Sequence, residues 1–310
     1  MPATRKGRQR PDRARFELTN TCNMRCKMCG IWQDRPKIRI EPESFDRLLA
    51  QKTLGRLRII SLTGGEPFAL DDLDSYYRIA RAHRRWAHVS ISTNGFYSDR
   101  IMDFLSATRP RNLSITISYD GIRSHDAIRG VEGSANKLLE TARRVREGFP
   151  AVTLSLKMTV SNENHGEILA TARQCKTLGI PFRFKTLEKL NCHQGRHPSE
   201  ISGPEYSGDI VDSITQQARE VLALGIETNA GYLETLIRMN SGETVSCNCS
   251  PRTLFVGVDG KVFLCRRKTA IGDLRQQSLD EIWISGERAE ILEQMRHCDE
   301  SLLSLSYSND

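Results

Sequence analysis

The stretch ELTNTCNMRCKMCGIWQ, Glu17–Gln33, sets three cysteines, Cys22, Cys26 and Cys29, within eight residues. Zinc sites and iron–sulfur cubes ordinarily take four protein ligands. A triplet therefore implies either a fourth donor elsewhere in the chain, as in a zinc knuckle, or a metal site left one ligand short. The triplet directly follows ARFELTN (14–20), a short run that reads as a strand. The fold turns on what comes after it.

Five more β-branched runs recur along the front of the chain: LRIISLTGG (57–65), HVSISTNG (88–95), NLSITISYDG (112–121), VTLSLKMTVS (152–161) and PFRFKTLEKL (181–190). Between them lie helical patterns, ESFDRLLAQK, LDSYYRIARAHRR, SDRIMDFLSA, GSANKLLETARRVREG and HGEILATARQCKTLG, the last two closing on Gly148 and Gly179. Six alternations predict an α/β fold with a parallel sheet and right-handed crossovers, curved into a partial barrel. Its functional loops belong at the carboxyl ends of the strands. The cysteines follow the first strand, TGGEP the second, STNG the third, SYDG the fourth and TVSNEN the fifth. One rim carries every unusual cluster.

After Leu190 the alternation stops. EYSGDIVDSITQQAREVLALG reads as one long helix, LFVGVDGKVFLC as a hairpin turning at Asp259–Gly260, and SLDEIWISGERAEILEQMRHC as a closing helix. The expected organisation is a basic tail (1–13), a core (14–190) and a smaller α+β domain (191–310).

The chain has 310 residues, 38% hydrophobic and 27% charged, the make-up of an ordinary globular protein. No apolar run reaches the roughly 18 residues that span a bilayer, and the N-terminus lacks a secretory h-region. A cytoplasmic home with no membrane partner is expected. Nine cysteines in such a chain point to reduced thiols and metal ligation rather than disulfides. Cys175 reads as a buried small hydrophobe. Of the 45 Lys+Arg and 38 Asp+Glu, residues 189–310 hold 12 and 18, leaving 33 and 20 in front. Six of the basic residues fall in the first fifteen positions, without interleaved aromatics, so no nucleic-acid role is expected of them.

Three thiolates leave one iron of a four-iron cube open. A C-x3-C-x2-C loop after the first strand, with GGEP after the second, resembles the radical S-adenosylmethionine (SAM) superfamily over about residues 14–190. The resemblance implies a partial (β/α)6 barrel and a [4Fe–4S] cluster held by Cys22, Cys26 and Cys29, whose open iron takes the amino and carboxylate groups of SAM. Reduction by a donor such as flavodoxin or ferredoxin then splits SAM to a 5′-deoxyadenosyl radical. It further implies that the backbone of Gly64, Gly65, Glu66 and Pro67 accepts from the SAM ammonium and that Met28 packs on the adenine. Ser92 and Asn94, with Ser118 and Asp120, are expected to reach the methionine part or the ribose. Arg129, with Lys157 as a second candidate, is expected to pair with the SAM carboxylate.

The back half carries CNCSPRTLFVGVDGKVFLC, Cys247–Cys265, which resembles the hairpin of SPASM and twitch auxiliary-cluster domains. The resemblance implies one auxiliary [4Fe–4S] cluster on Cys247, Cys265 and Cys298, with Cys192 or Cys249 as the fourth ligand. The fuller SPASM pattern's terminal C-x2-C run is absent, which argues against a second auxiliary cluster. Cys249, two positions after an expected ligand, stands as a spare thiol beside the cluster. It reads as a hydrogen-atom donor, or else as a ligand or an inert thiol.

A thiol opposite an abstracting radical can invert a carbon centre. Length, compact back half and Cys249 together resemble the aminoglycoside epimerases of the neomycin C to neomycin B type. The acidic balance of the back half suits a polycationic small molecule, with Glu188, Asp209, Glu227 and Glu234 as candidate amine ligands. The alternatives are a peptide-modifying radical SAM enzyme (epimerase or thioether maturase), a twitch-type alcohol dehydrogenase, or a non-catalytic iron–sulfur or RNA-binding protein. About fourteen residues before the first strand are too few for a leader-peptide-binding domain, which counts against the peptide reading.

Overall fold

The computed structural model describes residues 10–187, 206–243 and 250–296. Six strands, β1 (Arg13–Glu17), β2 (Ile59–Thr63), β3 (His88–Thr93), β4 (Leu113–Ser118), β5 (Thr153–Val160) and β6 (Phe182–Thr186), pair in parallel in sequence order. The connecting helices are α1 (Pro42–Ala50), α2 (Leu73–His83), α3 (Ser98–Thr108), α4 (His125–Arg129) with α5 (Ser134–Gly148), and α6 (Ile168–Thr177). Each lies where the apolar periodicity places it, except α4.

Period-two alternation decides which face of the sheet does what. Ala14, Phe16, Ile60, Leu62, Val89, Ile91, Ile115 and Ile117 are buried against the helices. The opposite face is polar, with Arg15 and Glu17 on β1, Ser61 and Thr63 on β2, Ser90 and Ser92 on β3, Ser114, Thr116 and Ser118 on β4, and Lys157 and Thr159 on β5. A fully covered parallel sheet would be apolar on both faces. This one keeps a polar concave wall.

The C-terminal segment joins the same sheet. β7 (Thr253–Val256) pairs in parallel with β1, and β8 (Lys261–Phe263) and β9 (Gly272–Asp273) follow antiparallel, giving nine strands in the order β6-β5-β4-β3-β2-β1-β7-β8-β9. The hairpin turns at Asp259–Gly260 as the sequence indicates, with Gly260 at φ +82°. Its docking gives the free edge of β1 a backbone partner.

The other edge is finished by side chains. Asn229 accepts from the Phe184 amide through Oδ1 at 3.1 Å and donates to the Phe184 carbonyl through Nδ2 at 2.8 Å, as a neighbouring strand would. The Tyr232 hydroxyl accepts from the Thr186 amide at 3.0 Å, and the Tyr206 hydroxyl accepts from Leu187 and donates to Val160. Tyr206 stands just before α7 (Gly208–Ala223), Asn229 in the turn before α8 (Ala230–Asn240) and Tyr232 in its first turn.

Two differences from the sequence reading appear. The closing segment is two helices, α9 (Leu279–Trp283) and α10 (Gly286–Arg296), because Ser285 Oγ accepts from the Arg288 amide and opens a new helix. The helices α4 and α8 were also not legible as such. Five residues are too few for α4 to show a period, and α8 stands against a sheet edge rather than between two strands. Cys175 is fully buried in the core, as expected. Asn229→Ala is expected to destabilise the protein by about 1–2 kcal/mol by stranding two edge groups. A urea midpoint shift at unchanged slope checks this.

Candidate functional site

The cysteine loop has little regular structure and is held from two sides. Toward helix α4, the Arg25 amide donates to the Arg129 carbonyl and the Lys27 amide to the Ile128 carbonyl, both at 2.9 Å. A Cβ on Gly130 would lie 2.7 Å from the Arg25 carbonyl oxygen, so glycine permits this approach. Toward β2, the Gly65 amide donates to the Thr19 carbonyl at 2.6 Å and the Glu66 amide to the Thr21 carbonyl at 2.8 Å. A Cβ on Gly65 would meet the Thr21 oxygen at 2.2 Å, and one on Gly64 the Thr19 oxygen at 2.5 Å. The two glycines of TGGEP let the second rim turn lie directly on the start of the cysteine loop.

Glu66 extends the lashing to the third rim turn. Its carboxylate accepts from the Phe68 amide (3.0 Å), the Thr93 hydroxyl (2.7 Å) and the Asn94 amide (2.7 Å). Burial pushes Glu66 up from its ordinary 4.5 to about 7, against the lowering pull of those donors. Asn94 in turn donates to Asn23 Oδ1 in the cysteine loop at 2.8 Å. The side chain of Glu66 is thus a latch, while only the backbone of its turn is left for a ligand.

Behind the loop lies a buried ion pair. Arg129 Nε donates to Asp120 Oδ2 at 2.6 Å, and Arg129 Nη1 lies 3.7 Å from Cys26 Sγ. Asp120 is fully buried and its other oxygen accepts from the Thr159 amide at 2.8 Å. Burial works against the charge of Arg129, but Asp120 and Cys26 together raise its pKa above the ordinary value. Asp120 is therefore engaged by Arg129 and by the β5 backbone. Sequence reasoning also missed Asn164, which donates to the carbonyls of Asp120 and Thr159, and His125, whose Nδ1 accepts from the Asp120 amide. Only tertiary contact distinguishes them from other polar loop residues.

The remaining expectations fall as follows. Met28 is half-buried against Ile128 and Leu187. Ser92 is exposed on the concave wall, and Ser118 is paired in register with Lys157 on the neighbouring strand. Cys265 is half-buried just past β8. Its neighbour Arg266 is buried 3.8 Å from Glu17, so the hairpin end meets the residue from which the cysteine loop departs. Arg266 and Arg15 both stack toward the Phe255 ring at 5.9 Å. Cys192, Cys247, Cys249, Cys298 and Glu188 lie outside the described residues. Glu227 sits beside Phe182, at the amino end of β6 and away from the rim, which removes it as a rim ligand. Asp209 and Glu234 are exposed on α7 and α8. A groove of about 920 Å³ between α1 and the hairpin turn touches none of the cysteine, GGEP or Arg129 side chains.

The rim fits an iron–sulfur cluster with a small-molecule ligand. Burial and the adjacent thiols push Cys22 and Cys29 up, Cys29 to about 12, and burial raises Cys26. Three thiolates at this place need a cationic partner to balance them, and sulfur donors suit iron. Asn23 Nδ2 and Trp32 Nε1 are buried donors beside the triplet without a hydrogen-bond partner among the described residues.

Comparison with known proteins agrees with this chemistry. The family model for the radical SAM superfamily matches residues 16–175, and that for an iron–sulfur cluster-binding domain, SPASM, matches residues 247–302. The AdoMet-dependent heme synthase of Methanosarcina barkeri is 25% identical over 305 residues, 92% of this chain and 84% of that protein. The sporulation killing factor maturation protein SkfB of Bacillus subtilis is 26% identical over 179 residues, 57% of this chain but only 42% of its own. SuiB of Streptococcus suis bound to S-adenosylmethionine superposes with TM-score 0.70 at 13% identity, over 91% of this chain and 68% of SuiB. The SuiB complex with its precursor peptide SuiA gives 0.69 at 13% identity, over 91% and 66%. At that identity the likeness is one of fold.

Gly65→Ala is expected to weaken SAM binding and to cost about 1–3 kcal/mol through the backbone collision, read by equilibrium binding and urea unfolding. Glu66 makes a pH-dependent contribution of definite sign. Because its folded pKa is raised, its stabilising contribution is complete below about pH 4.5 and is lost as pH rises toward about 7. Urea midpoints of the cluster-free protein across that window should show a decline that Glu66→Gln lacks.

Proposed function

The chain belongs to the radical SAM superfamily, and on that premise we propose that it is an epimerase, inverting a carbon centre of a polycationic, aminoglycoside-type substrate. The family brings SAM and a [4Fe–4S] cluster, and the SPASM match brings auxiliary iron–sulfur binding in the back half. Bound at the rim, SAM and the cluster would supply the radical chemistry that removes a hydrogen atom from the substrate carbon. Cys22, Cys26 and Cys29 hold the cluster. The backbone of Gly64–Pro67 and the guanidinium of Arg129 orient SAM, and the lashed loops keep water from the radical. Cys249 returns a hydrogen atom from its S–H to the opposite face. The sulfur radical left at Cys249 is restored by one electron from an external donor and one proton, so the substrate is neither oxidised nor reduced.

The observation that carries this reading is the thiol at Cys249, two positions after the expected auxiliary ligand Cys247 and spare once Cys192 is taken as the fourth ligand. Support for a cationic substrate comes from the acidic balance of residues 189–310, 18 Asp+Glu against 12 Lys+Arg. One auxiliary cluster is assigned to Cys247, Cys265 and Cys298, with Cys192 as the fourth ligand once Cys249 is reserved for hydrogen return.

A second reading, a peptide-modifying radical SAM enzyme, is favoured by the relatives over the first. SkfB is named a sporulation killing factor maturation protein and SuiB is seen with a precursor peptide. The two readings separate in deuterated water with neomycin C as the assay substrate. An epimerase with an exchangeable thiol places one deuterium at the inverted carbon, detected by mass spectrometry. Cys249→Ala is expected to keep forming 5′-deoxyadenosine while inverted product falls at least about tenfold, the loss expected of a group that donates in the reacting step. Full inversion by that variant removes the donor assignment. No inversion of neomycin C by the intact enzyme, with turnover of a peptide instead, selects the second reading. Iron analysis should find about eight irons per chain for two cubes.

A further inference from the structure

Arg129 has more contacts than a carboxylate clamp requires. Its Nε is fixed on the fully buried Asp120 at 2.6 Å, and its Nη1 is directed to Cys26 Sγ at 3.7 Å. Its backbone carbonyl accepts from the Arg25 amide, so the same residue grips both the cysteine loop and the sulfur that loop carries. Asp120 cannot turn away, because its second oxygen holds the Thr159 amide and its own amide donates to His125 Nδ1. The guanidinium therefore cannot rotate off the sulfur without breaking the tie between β4 and β5.

We propose that Arg129, positioned by Asp120, tunes the cluster held by Cys22, Cys26 and Cys29: its Nη1–H donates to the Cys26 sulfur and raises the cluster's reduction potential. The physical basis is that reduction adds one negative charge to the cluster and its thiolates. A donor fixed on a ligand sulfur stabilises that extra charge more than the oxidised state. The site is buried, with Cys26 7% exposed, so the interaction is little screened. Asp120 cancels much of the net charge of Arg129 at longer range, which leaves the short N–H contact to sulfur as the effective element. The inference concerns cluster reduction alone and holds whichever substrate the enzyme turns over.

The test is a potentiometric titration followed by electron paramagnetic resonance, on anaerobically reconstituted full-length protein without substrate. Addition of saturating SAM to a parallel sample identifies which reduced signal belongs to the SAM-binding cluster. Arg129→Gln is expected to lower the potential of that signal while iron content stays at the wild-type value. Arg129→Lys, which keeps the charge but cannot serve Asp120 and the sulfur together, is expected to lie between the two. An unchanged or higher potential in Arg129→Gln, with weaker SAM binding as the sole defect, overturns the proposal and leaves Arg129 as a SAM ligand only. Should Arg129→Gln take up no iron, Arg129→Lys decides: a wild-type potential overturns the proposal and a lowered one supports it.

Discussion

Three sulfurs serve one cluster only when the loop that carries them is rigid, and here rigidity comes from backbone hydrogen bonds made by its neighbours. The Gly65 and Glu66 amides hold its beginning, and the carbonyls of Ile128 and Arg129 hold its middle. Each contact needs backbone against backbone at a distance no Cβ tolerates, which is why glycines stand at 64, 65 and 130. The rest of the rim is arranged around that requirement. Glu66 ties the second turn to the third, Asn94 ties the third back to Asn23, and Asp120 ties the fourth strand to the fifth.

The buried charges share a logic. Glu66, Asp120, Arg129, Glu17 and Arg266 are all largely removed from water and each has a named partner, as burial demands. They also join segments that the sheet alone leaves separate: rim turn to rim turn, the cysteine loop to α4, and the start of the cysteine loop to the end of the C-terminal hairpin. With β7 paired on β1, the back half is continuous with the barrel sheet. A ligand carried by the hairpin is thus placed by the same scaffold that places the triplet.

The six strands were legible because each is a β-branched run with a buried period of two, and the five long crossover helices because their apolar stripes are long enough to count. The motifs were legible because cysteine and paired glycine have few other reasons to cluster at strand ends. The role of Asp120 was not: an aspartate in a rim turn looks the same whether it faces a ribose or a guanidinium nine residues on. Glu227 was misplaced for a similar reason, since charge counts say nothing about which end of a strand a carboxylate lies beside. The edge caps Asn229, Tyr206 and Tyr232 carry no local signal, because they act on a strand some twenty to forty-six residues away.

By itself the amino-acid sequence determined the parallel α/β core, the rim on which the unusual clusters sit and the three cysteines gathered there. All three follow from local periodicity and from the few residue types that bind soft metals. Tertiary structure alone decided that the hairpin extends the barrel sheet, that Glu66 is a latch, and that Arg129 reaches both Asp120 and the Cys26 sulfur. Those facts depend on where separate segments meet in space. A hydrogen bond between residues 103 positions apart leaves no trace in the spacing of either.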